Sequence, residues 1–135
     1  MNRYLLDANA CIAMMKKNAG VLNRILEVGM DSLLLCAPVK AELWFGACKS
    51  QRIAENQARL HLFFNDLPSL PFDDDAAEHF GDIRADLARQ GKPIGPYDLQ
   101  IAAIARVRGL VVVTHNTREF TRIPGLMVED WQINP

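Results

Sequence analysis

The amino-acid sequence predicts an α/β fold, in which a central and mostly parallel sheet of four or five strands lies between two layers of helices. Two observations predict it. Short apolar runs of strand length alternate with segments whose apolar residues recur every three or four positions. Most of these runs do not alternate with polar residues, which is typical of parallel strands covered on both faces. Strand and helix in alternation therefore predict a three-layer α/β/α sandwich.

Five segments have the length and composition of strands. They are residues 3–7, 33–36, 69–72, 110–113 and 126–129. Six helices are predicted between them from apolar periodicity and start signals. They are residues 8–17, 19–28, 38–49, 51–67, 75–90 and 96–108. Asn18 is expected to cap the second helix, and Pro38 to occupy the first position of the third.

The composition is that of one domain, which we expect to span residues 1–135. The net charge of −1 neither indicates nor excludes a nucleic-acid partner. No apolar window reaches the ~18 residues of a membrane span, and residues 1–3 lead directly into the first strand, so we expect no membrane segment and no secretory signal. Cys11, Cys36 and Cys48 lack metal-ligand spacing and are expected to be small core residues in a reducing cytoplasm.

Acidic, amide and hydroxyl side chains follow the predicted strand ends or begin helices, except Glu42, which lies near the middle of the helix after the second strand. These residues are Asp7, Asn9, Glu42, Asp98, Thr114 and Asn116. Each has a purely structural explanation: Asp7 as a helix cap, Asp98 as a carboxylate that gains ~0.3–1 kcal/mol from a helix dipole, and the others as surface or turn residues. Because the carboxyl ends of parallel strands form one edge of the sheet, a shared site there is the alternative.

Three carboxylates at one edge would need a compensating partner. Two unit charges ~4 Å apart repel by about 4 kcal/mol at an effective dielectric constant near 20. Either one carboxyl keeps a proton or a hard divalent cation lies between them. Mg²⁺ fits carboxylate and water oxygens and leaves room for phosphate. Zn²⁺ fits poorly, since His61, His79 and His115 are scattered along the chain.

Four stretches of the sequence resemble the PIN-domain ribonucleases, and within them the enteric-type VapC toxins of type II toxin–antitoxin pairs. They are "LLDANACI", "VKAELWFGACKS", "IRADLARQGKPIGPYDLQIAAIA" and "GLVVVTHNTREFTRIPGLMVEDW". The resemblance covers nearly the whole chain, and the last two stretches are the specific ones. It implies a PIN-like sandwich and the activity of an endoribonuclease.

The resemblance also implies roles for individual residues. Asp7, Glu42 and Asp98 match the three acidic metal ligands, and Thr114 matches a hydroxyl that orients a ligand or the attacking water. Asn116 stands where many PIN domains carry a fourth aspartate, so a second metal ion is in question. The sequence leaves open whether Asn116 or Glu119 replaces that acid. Asn9 would supply an amide beside the metal.

The reaction that the resemblance implies is Mg²⁺-dependent hydrolysis of a phosphodiester bond by activated water, with Mn²⁺ able to substitute for Mg²⁺. It implies structured RNA as the substrate, commonly tRNA cut near the anticodon. It also implies a homodimer and a small cognate antitoxin that covers the active-site groove.

Several basic residues near Asp98 could line a phosphate track, with a solvated helix face as the alternative. They are Arg84, Arg89, Lys92 and Arg118, with Arg106, Arg108 and Arg122 nearby. Residues 51–67 carry more apolar side chains than one core-facing stripe needs, which indicates a partner surface.

Two other functions were weighed. An aspartyl phosphatase would need D-x-D after the first strand and a lysine after "VVVT", and neither is present. A PIN-like module that binds RNA or a partner with little or no catalysis is compatible with Asn116.

Overall fold

The computed structural model of the chain describes residues 1–132. Five parallel strands form one sheet, in the order β3-β2-β1-β4-β5. The strands are β1 (Tyr4–Leu6), β2 (Leu33–Cys36), β3 (Ser69–Leu70), β4 (Val111–Val113) and β5 (Met127–Glu129). The predicted α/β class and the mostly parallel sheet of four or five strands are therefore confirmed, with five strands, all parallel, in the described residues.

Within residues 1–132, seven α-helices connect or follow these strands. They are α1 (Ala8–Met15), α2 (Ala19–Val28), α3 (Ala37–Cys48), α4 (Ile53–Asp66), α5 (Asp74–Arg89), α6 (Pro96–Arg108) and α7 (Thr117–Phe120). The bounds of α2 and α6 are as predicted, and those of the other predicted helices differ by one or two residues. Helix α7 and a 3₁₀ turn at Met30–Ser32 are not predicted by the sequence pattern, because a single turn is too short to show a period.

Two details of the helix starts differ from expectation. Helix α3 begins at Ala37, so Pro38 occupies its second position and not its first. The predicted first strand included Asp7, but Asp7 lies outside the ladder because its side chain caps α1, accepting a hydrogen bond from the Ala10 backbone N–H at 2.8 Å. Asn18 caps α2 as predicted, through a 3.2 Å bond from the Val21 N–H.

The core lies on both faces of β1, β2 and β4, whose residues are all buried. On one side it is closed by α6, whose stretch 101–105 is fully buried because its alanines allow close approach to the sheet. Cys11 and Cys36 are buried as expected. Cys48 is exposed, which corrects the prediction, because it ends α3 on the solvent side, where the Gln57 amide donates to its sulfur at 3.8 Å.

The apolar excess of the segment 51–67 remains at the surface. Leu60, Phe63 and Leu67 are buried, whereas Leu62 is 70% exposed and Ile53 is 46% exposed. Helix α4 thus buries one face and leaves apolar side chains in solvent. Among residues 1–132, no helix combines the length and the apolar character that crossing a membrane requires.

The topology places the start of α6 at the carboxyl edge of the sheet. Gly109 ends α6 in the left-handed conformation, at φ 67°, and the chain turns at once into β4. Because α6 returns antiparallel to the strand that follows it, its first turn lies above the carboxyl ends of the strands. This is where the sequence placed Asp98.

Candidate active site

Asp7 is held at the carboxyl end of the central strand β1. Its backbone N–H donates to the carbonyl of Val113 at 3.1 Å, and its carboxylate caps α1. The side chain is buried, with 5% of the residue exposed. Burial raises the pKa of Asp7, while hydrogen bonds from the Thr114 hydroxyl and the Ala10 N–H lower it. The carboxylate therefore accepts two hydrogen bonds that stabilise its charged form, while its burial destabilises that form.

Asp98 is the most strongly perturbed acid of this edge. It lies in the first turn of α6, directly after the Gly95-Pro96 start of the helix. Burial, then the charges of Asp7 and Glu119, raise its pKa to about 6. A hydrogen bond with the Glu119 carboxyl and the charge of Glu42 act in the same direction. A carboxyl with three acidic neighbours marks the centre of a cluster that lacks a counter-charge.

Glu42 completes the trio of predicted acids. It lies in the middle of α3, partly buried, and its pKa is raised by burial and by the charge of Asp7. The charges of Asp7 and Glu42 each raise the pKa of Asp98 in turn. The structure thus brings Asp7, Glu42 and Asp98 within electrostatic reach of one another, although they are far apart in sequence.

Asn116 connects two acids of the cluster. Its side-chain amide donates to Glu119 Oε2 at 3.0 Å and to Asp98 Oδ2 at 3.4 Å. Its backbone N–H donates to Thr114 Oγ1 at 2.9 Å, and Thr114 in turn contacts Asp7. Helix α7 brings Glu119 to this position, so a fourth carboxyl lies in the cluster beside Asn116. Periodicity could not find it, because α7 is one turn long.

A histidine–carboxylate pair that the sequence analysis missed lies next to these residues. His115 stands between Thr114 and Asn116, and its Nδ1 lies 2.9 Å from Asp130 Oδ2. Asp130 follows β5, so it reaches the same edge of the sheet. Only its place in "VEDW" after the last strand could have indicated it.

The basic residues divide into two groups. Arg84, Arg89, Lys92 and Arg118 are all exposed, and Arg89 pairs with Asp86 at 3.6 Å. Arg106 and Arg108 are held elsewhere, Arg106 by His79 and the Pro124 carbonyl and Arg108 by Asp73. Arg118 adjoins Glu119 on α7, which places it next to the acids. RNA contact by the exposed group stays a prediction.

A groove of about 700 Å³ opens beside Glu42, between α1, α3 and α4. Asn9 and Glu42 line its end next to the acids, and Asn9 is exposed. Its walls are mainly apolar and include Ile12, Leu43 and Leu60. Glu42 therefore belongs both to the acidic cluster and to the lining of this groove.

The donor set suits a hard divalent cation. Carboxylate and amide oxygens dominate, and all three predicted ligands have raised pKa values that a cation would relieve. Within residues 1–132, no lysine or arginine forms an ion pair with these three carboxyls. In the same range, no three His, Cys, Asp or Glu side chains lie close enough together to hold a metal ion by themselves. Mg²⁺ does not require such a group, since it keeps several waters and takes few protein ligands.

Comparison with known proteins gives consistent results. A family model described as the PIN domain matches residues 4–126. The tRNA(fMet)-specific endonuclease VapC of Shigella flexneri is 42% identical over 131 residues, which are 97% of this chain and 99% of that protein. Ribonuclease VapC2 of Haemophilus influenzae is 37% identical with the same coverage.

Solved structures extend the likeness to the fold. The DNA-bound VapBC of Salmonella typhimurium contains a chain that superimposes with a TM-score of 0.89 and 43% identity, covering 97% of this chain and 99% of that one. VapBC2 of Rickettsia felis bound to a promoter DNA fragment gives a TM-score of 0.86 and 34% identity, covering 95% and 98%. The match to the PIN-domain model and the identity to these relatives show that this chain belongs to the PIN-domain family, in the enteric-type VapC group of toxin–antitoxin ribonucleases.

Proposed function

We propose that this VapC ribonuclease is a Mg²⁺-dependent endonuclease that hydrolyses structured RNA at the carboxyl edge of the sheet. The observation that carries the proposal is the electrostatic proximity of the three acids: the charge of Asp7 raises the pKa of Glu42, and the charges of Asp7 and Glu42 raise that of Asp98. Two relatives at 42% and 43% identity bear the name tRNA(fMet)-specific endonuclease, which supports tRNA as the substrate class. The bond cut lies near the anticodon in this proposal.

Asp7, Glu42 and Asp98 would hold the cation, with Mn²⁺ able to replace Mg²⁺. When bound, such an ion polarises the phosphodiester and activates water for attack. Thr114 fixes the Asp7 carboxylate through its hydroxyl and receives the Asn116 N–H. Asn116 holds Asp98 and Glu119 together through its amide. In this arrangement Glu119 replaces the fourth acid, and Asn116 is a positioning residue.

Product formation requires only that the phosphate be held while water adds and the 3′-oxygen leaves. Water supplies its oxygen to phosphorus, the P–O3′ bond breaks, and a proton reaches the 3′-oxygen. The products are a 5′-phosphate and a 3′-hydroxyl. Arg118, which adjoins Glu119, and the exposed residues Arg84, Arg89 and Lys92 are the proposed contacts to RNA phosphates.

The proposed partners are a cognate antitoxin and a second copy of the chain. VapBC complexes among the similar structures support the antitoxin. The groove next to Glu42 offers an apolar wall and ends at the acids, so a bound antitoxin segment would block RNA access. The exposed Leu62 and Phe45 provide apolar surface for a homodimer. We place the protein in the cytoplasm, where tRNA is available.

The test is cleavage of defined RNAs by the purified chain. Initiator and elongator methionine tRNA transcripts are incubated with Mg²⁺ or with EDTA, and the 5′ ends are sequenced. We expect one recurrent cut in initiator tRNA, dependent on the metal. Asp98→Asn and Asp7→Asn should lower the rate at least ~100-fold, because each removes one of the few charges that hold the ion. Asp7→Asn retains a capping side chain, so the fold should persist.

The matched control is Asp31→Asn. Asp31 is an exposed aspartate in the turn directly before β2, at the opposite, amino edge of the sheet. The Asp31→Asn protein should cleave the RNA at the wild-type rate. Wild-type activity in Asp98→Asn would remove that residue from the mechanism, and undiminished cutting in EDTA would contradict metal dependence.

A further inference from the structure

The side chain of His115 lies at the edge of the proposed site without a role in it. Its ring is 62% exposed, while the Asp130 carboxylate to which it binds is only 9% exposed. The buried Asp130 carboxylate therefore orients the imidazole ring and leaves most of it exposed to solvent. The free nitrogen, Nε2, is therefore available to a ligand at the carboxyl edge.

The hydrogen bond to Asp130 determines what Nε2 can do. A carboxylate only accepts hydrogen bonds, so His115 Nδ1 carries the proton and donates it to Asp130 Oδ2 across 2.9 Å. In the neutral imidazole, Nε2 then bears a lone pair and accepts. Asp130 Oδ1 is engaged by the Gln132 N–H at 2.9 Å, which keeps the carboxylate from rotating. With a neutral ring, the pair thus presents an acceptor to the ligand.

The pair lies close to the acids of the site. The neighbours of His115 in the chain are Thr114, which bonds to Asp7, and Asn116, which bonds to Asp98. The charges of both His115 and Asp130 affect the pKa of Asp7, in opposite directions. A phosphodiester at the acids would therefore have its flanking sugars beside the ring.

We propose that His115, oriented by Asp130, accepts a hydrogen bond from a ribose 2′-hydroxyl and so favours RNA over DNA at this site. Phosphate oxygens of a nucleic acid cannot donate to Nε2. The 2′-hydroxyl is the donor that every ribonucleotide presents whatever its base, and it is the group that distinguishes RNA from DNA. This inference rests on the proposed function, because it takes RNA as the ligand.

The test uses a fluorescent stem-loop with the sequence of the initiator tRNA anticodon arm. A series of these RNAs carries a single 2′-deoxynucleotide, moved one position at a time through the loop. Binding is measured by anisotropy with the Asp98→Asn protein, in which cleavage is expected to be at least ~100-fold slower. We expect one position at which the missing hydroxyl weakens binding roughly 2- to 12-fold, the range for a single neutral hydrogen bond.

The paired variant is His115→Ala in the same background. It should weaken binding of the all-ribose stem-loop by the same factor and show no further loss with the deoxynucleotide at that position. We call the loss of binding caused by the deoxynucleotide at that position the deoxy penalty. Asp130→Ala should lower the deoxy penalty without removing it, because the ring is no longer oriented by Asp130 but is still present. Asp31→Ala, at the amino edge of the sheet, should keep the full penalty. Thermal melts verify that all variants are folded.

Several results would overturn the inference. An unchanged deoxy penalty in His115→Ala would mean that the ring contacts no 2′-hydroxyl and that its pairing with Asp130 is structural. A uniform loss of binding to every stem-loop, with the penalty retained, would assign His115 to a phosphate. If either of these results is found for His115→Ala while Asp98→Asn abolishes cleavage, only the inference fails. If the protein neither binds nor cuts the RNA, the proposed function fails with it.

Discussion

Asp7 shows how one side chain can have a structural and a chemical role together. As a helix cap it satisfies the N–H of Ala10, and as a buried acid it faces Glu42 and Asp98. The sequence suggested these as alternatives, but the geometry makes them compatible. One carboxylate has enough lone pairs to accept from Ala10 and Thr114 and still present charge to the site.

The raised pKa of Asp98 predicts a pH dependence of stability in the metal-free protein. Its ordinary value is 3.8 and its folded value about 6. The folded state therefore binds the proton more tightly, and this contribution to stability is present below pH ~3.8 and lost as the pH rises through about 6. Asp7 and Glu42 act in the same direction.

The measurement is urea unfolding in EDTA of wild type and Asp98→Asn between pH 4 and pH 7. We expect the variant to gain stability relative to wild type as the pH rises, because it cannot ionise at this position. The exposed control Asp31→Asn should show a constant difference from wild type. Parallel curves for wild type and Asp98→Asn would contradict the electrostatic cluster.

At the scale of elements, short segments complete the site. The single turn of α7 carries Glu119 to Asp98, and the loop after β5 carries Asp130 to His115. Neither segment has an apolar period of its own. They are held because Phe120 and Trp131, one residue from each of these acids, are buried in the core. Glu119 and Asp130 are therefore positioned by the burial of an adjacent aromatic residue, and not by a local preference for helix or strand.

Helix α5 offers a prediction about capping. Asp73 accepts the Ala76 N–H at 2.9 Å with one oxygen and pairs with Arg108 of α6 at 3.1 Å with the other. Asp73→Ala should lower the free energy of unfolding by about 1 kcal/mol or somewhat more, chiefly through loss of the cap. Asp73→Asn keeps a capping oxygen and should cost much less, since an exposed ion pair contributes only ~0–1 kcal/mol. Urea midpoints measure both, and equal losses would assign the effect to the ion pair.

At the scale of the whole molecule, parallel strands collect distant residues at one edge. Strand β1 lies at the centre of the sheet, so residues after it, after β2 and after β4 are neighbours in space. Helices that return antiparallel to the strands add their first turns to the same edge. A cluster of uncompensated acids there is unfavourable for the folded chain by itself, and a bound cation would reverse that effect.

Metal binding should therefore stabilise the whole fold. A ligand that binds only the folded state adds RT ln(1 + [L]/Kd), about 2.7 kcal/mol at a concentration 100 times Kd. We expect Mg²⁺ or Mn²⁺ to raise the melting temperature of wild type, and to raise it less in Asp98→Asn. Differential scanning fluorimetry with matched ionic strength from NaCl measures it. An unmoved melting temperature at saturating metal would exclude the cluster as a metal site.

The alternation of apolar runs and amphipathic segments determined the fold class, the order of strands and helices along the chain, and most of the core. The period of an amphipathic helix and the length of a buried strand are local properties, so residues close in sequence reveal them. The acidic positions Asp7, Glu42 and Asp98 were also evident, because Asp7 follows a strand, Asp98 lies near a helix start, and Glu42 lies in the helix that follows the second strand. Short stretches such as "GPYD" were then enough to show the resemblance to known ribonucleases.

How these positions act on one another depends on the packing of the folded chain. The place of Glu119 beside Asp98, the hydrogen bond between His115 and Asp130, and the exposure of Cys48 depend on how distant segments pack. Hydrogen bonds between residues 15 or more positions apart leave no periodic trace in sequence. Electrostatic strength likewise depends on burial and distance, which no single stretch of residues contains. The chain's local patterns thus specified the sheet, and its packing specified the site.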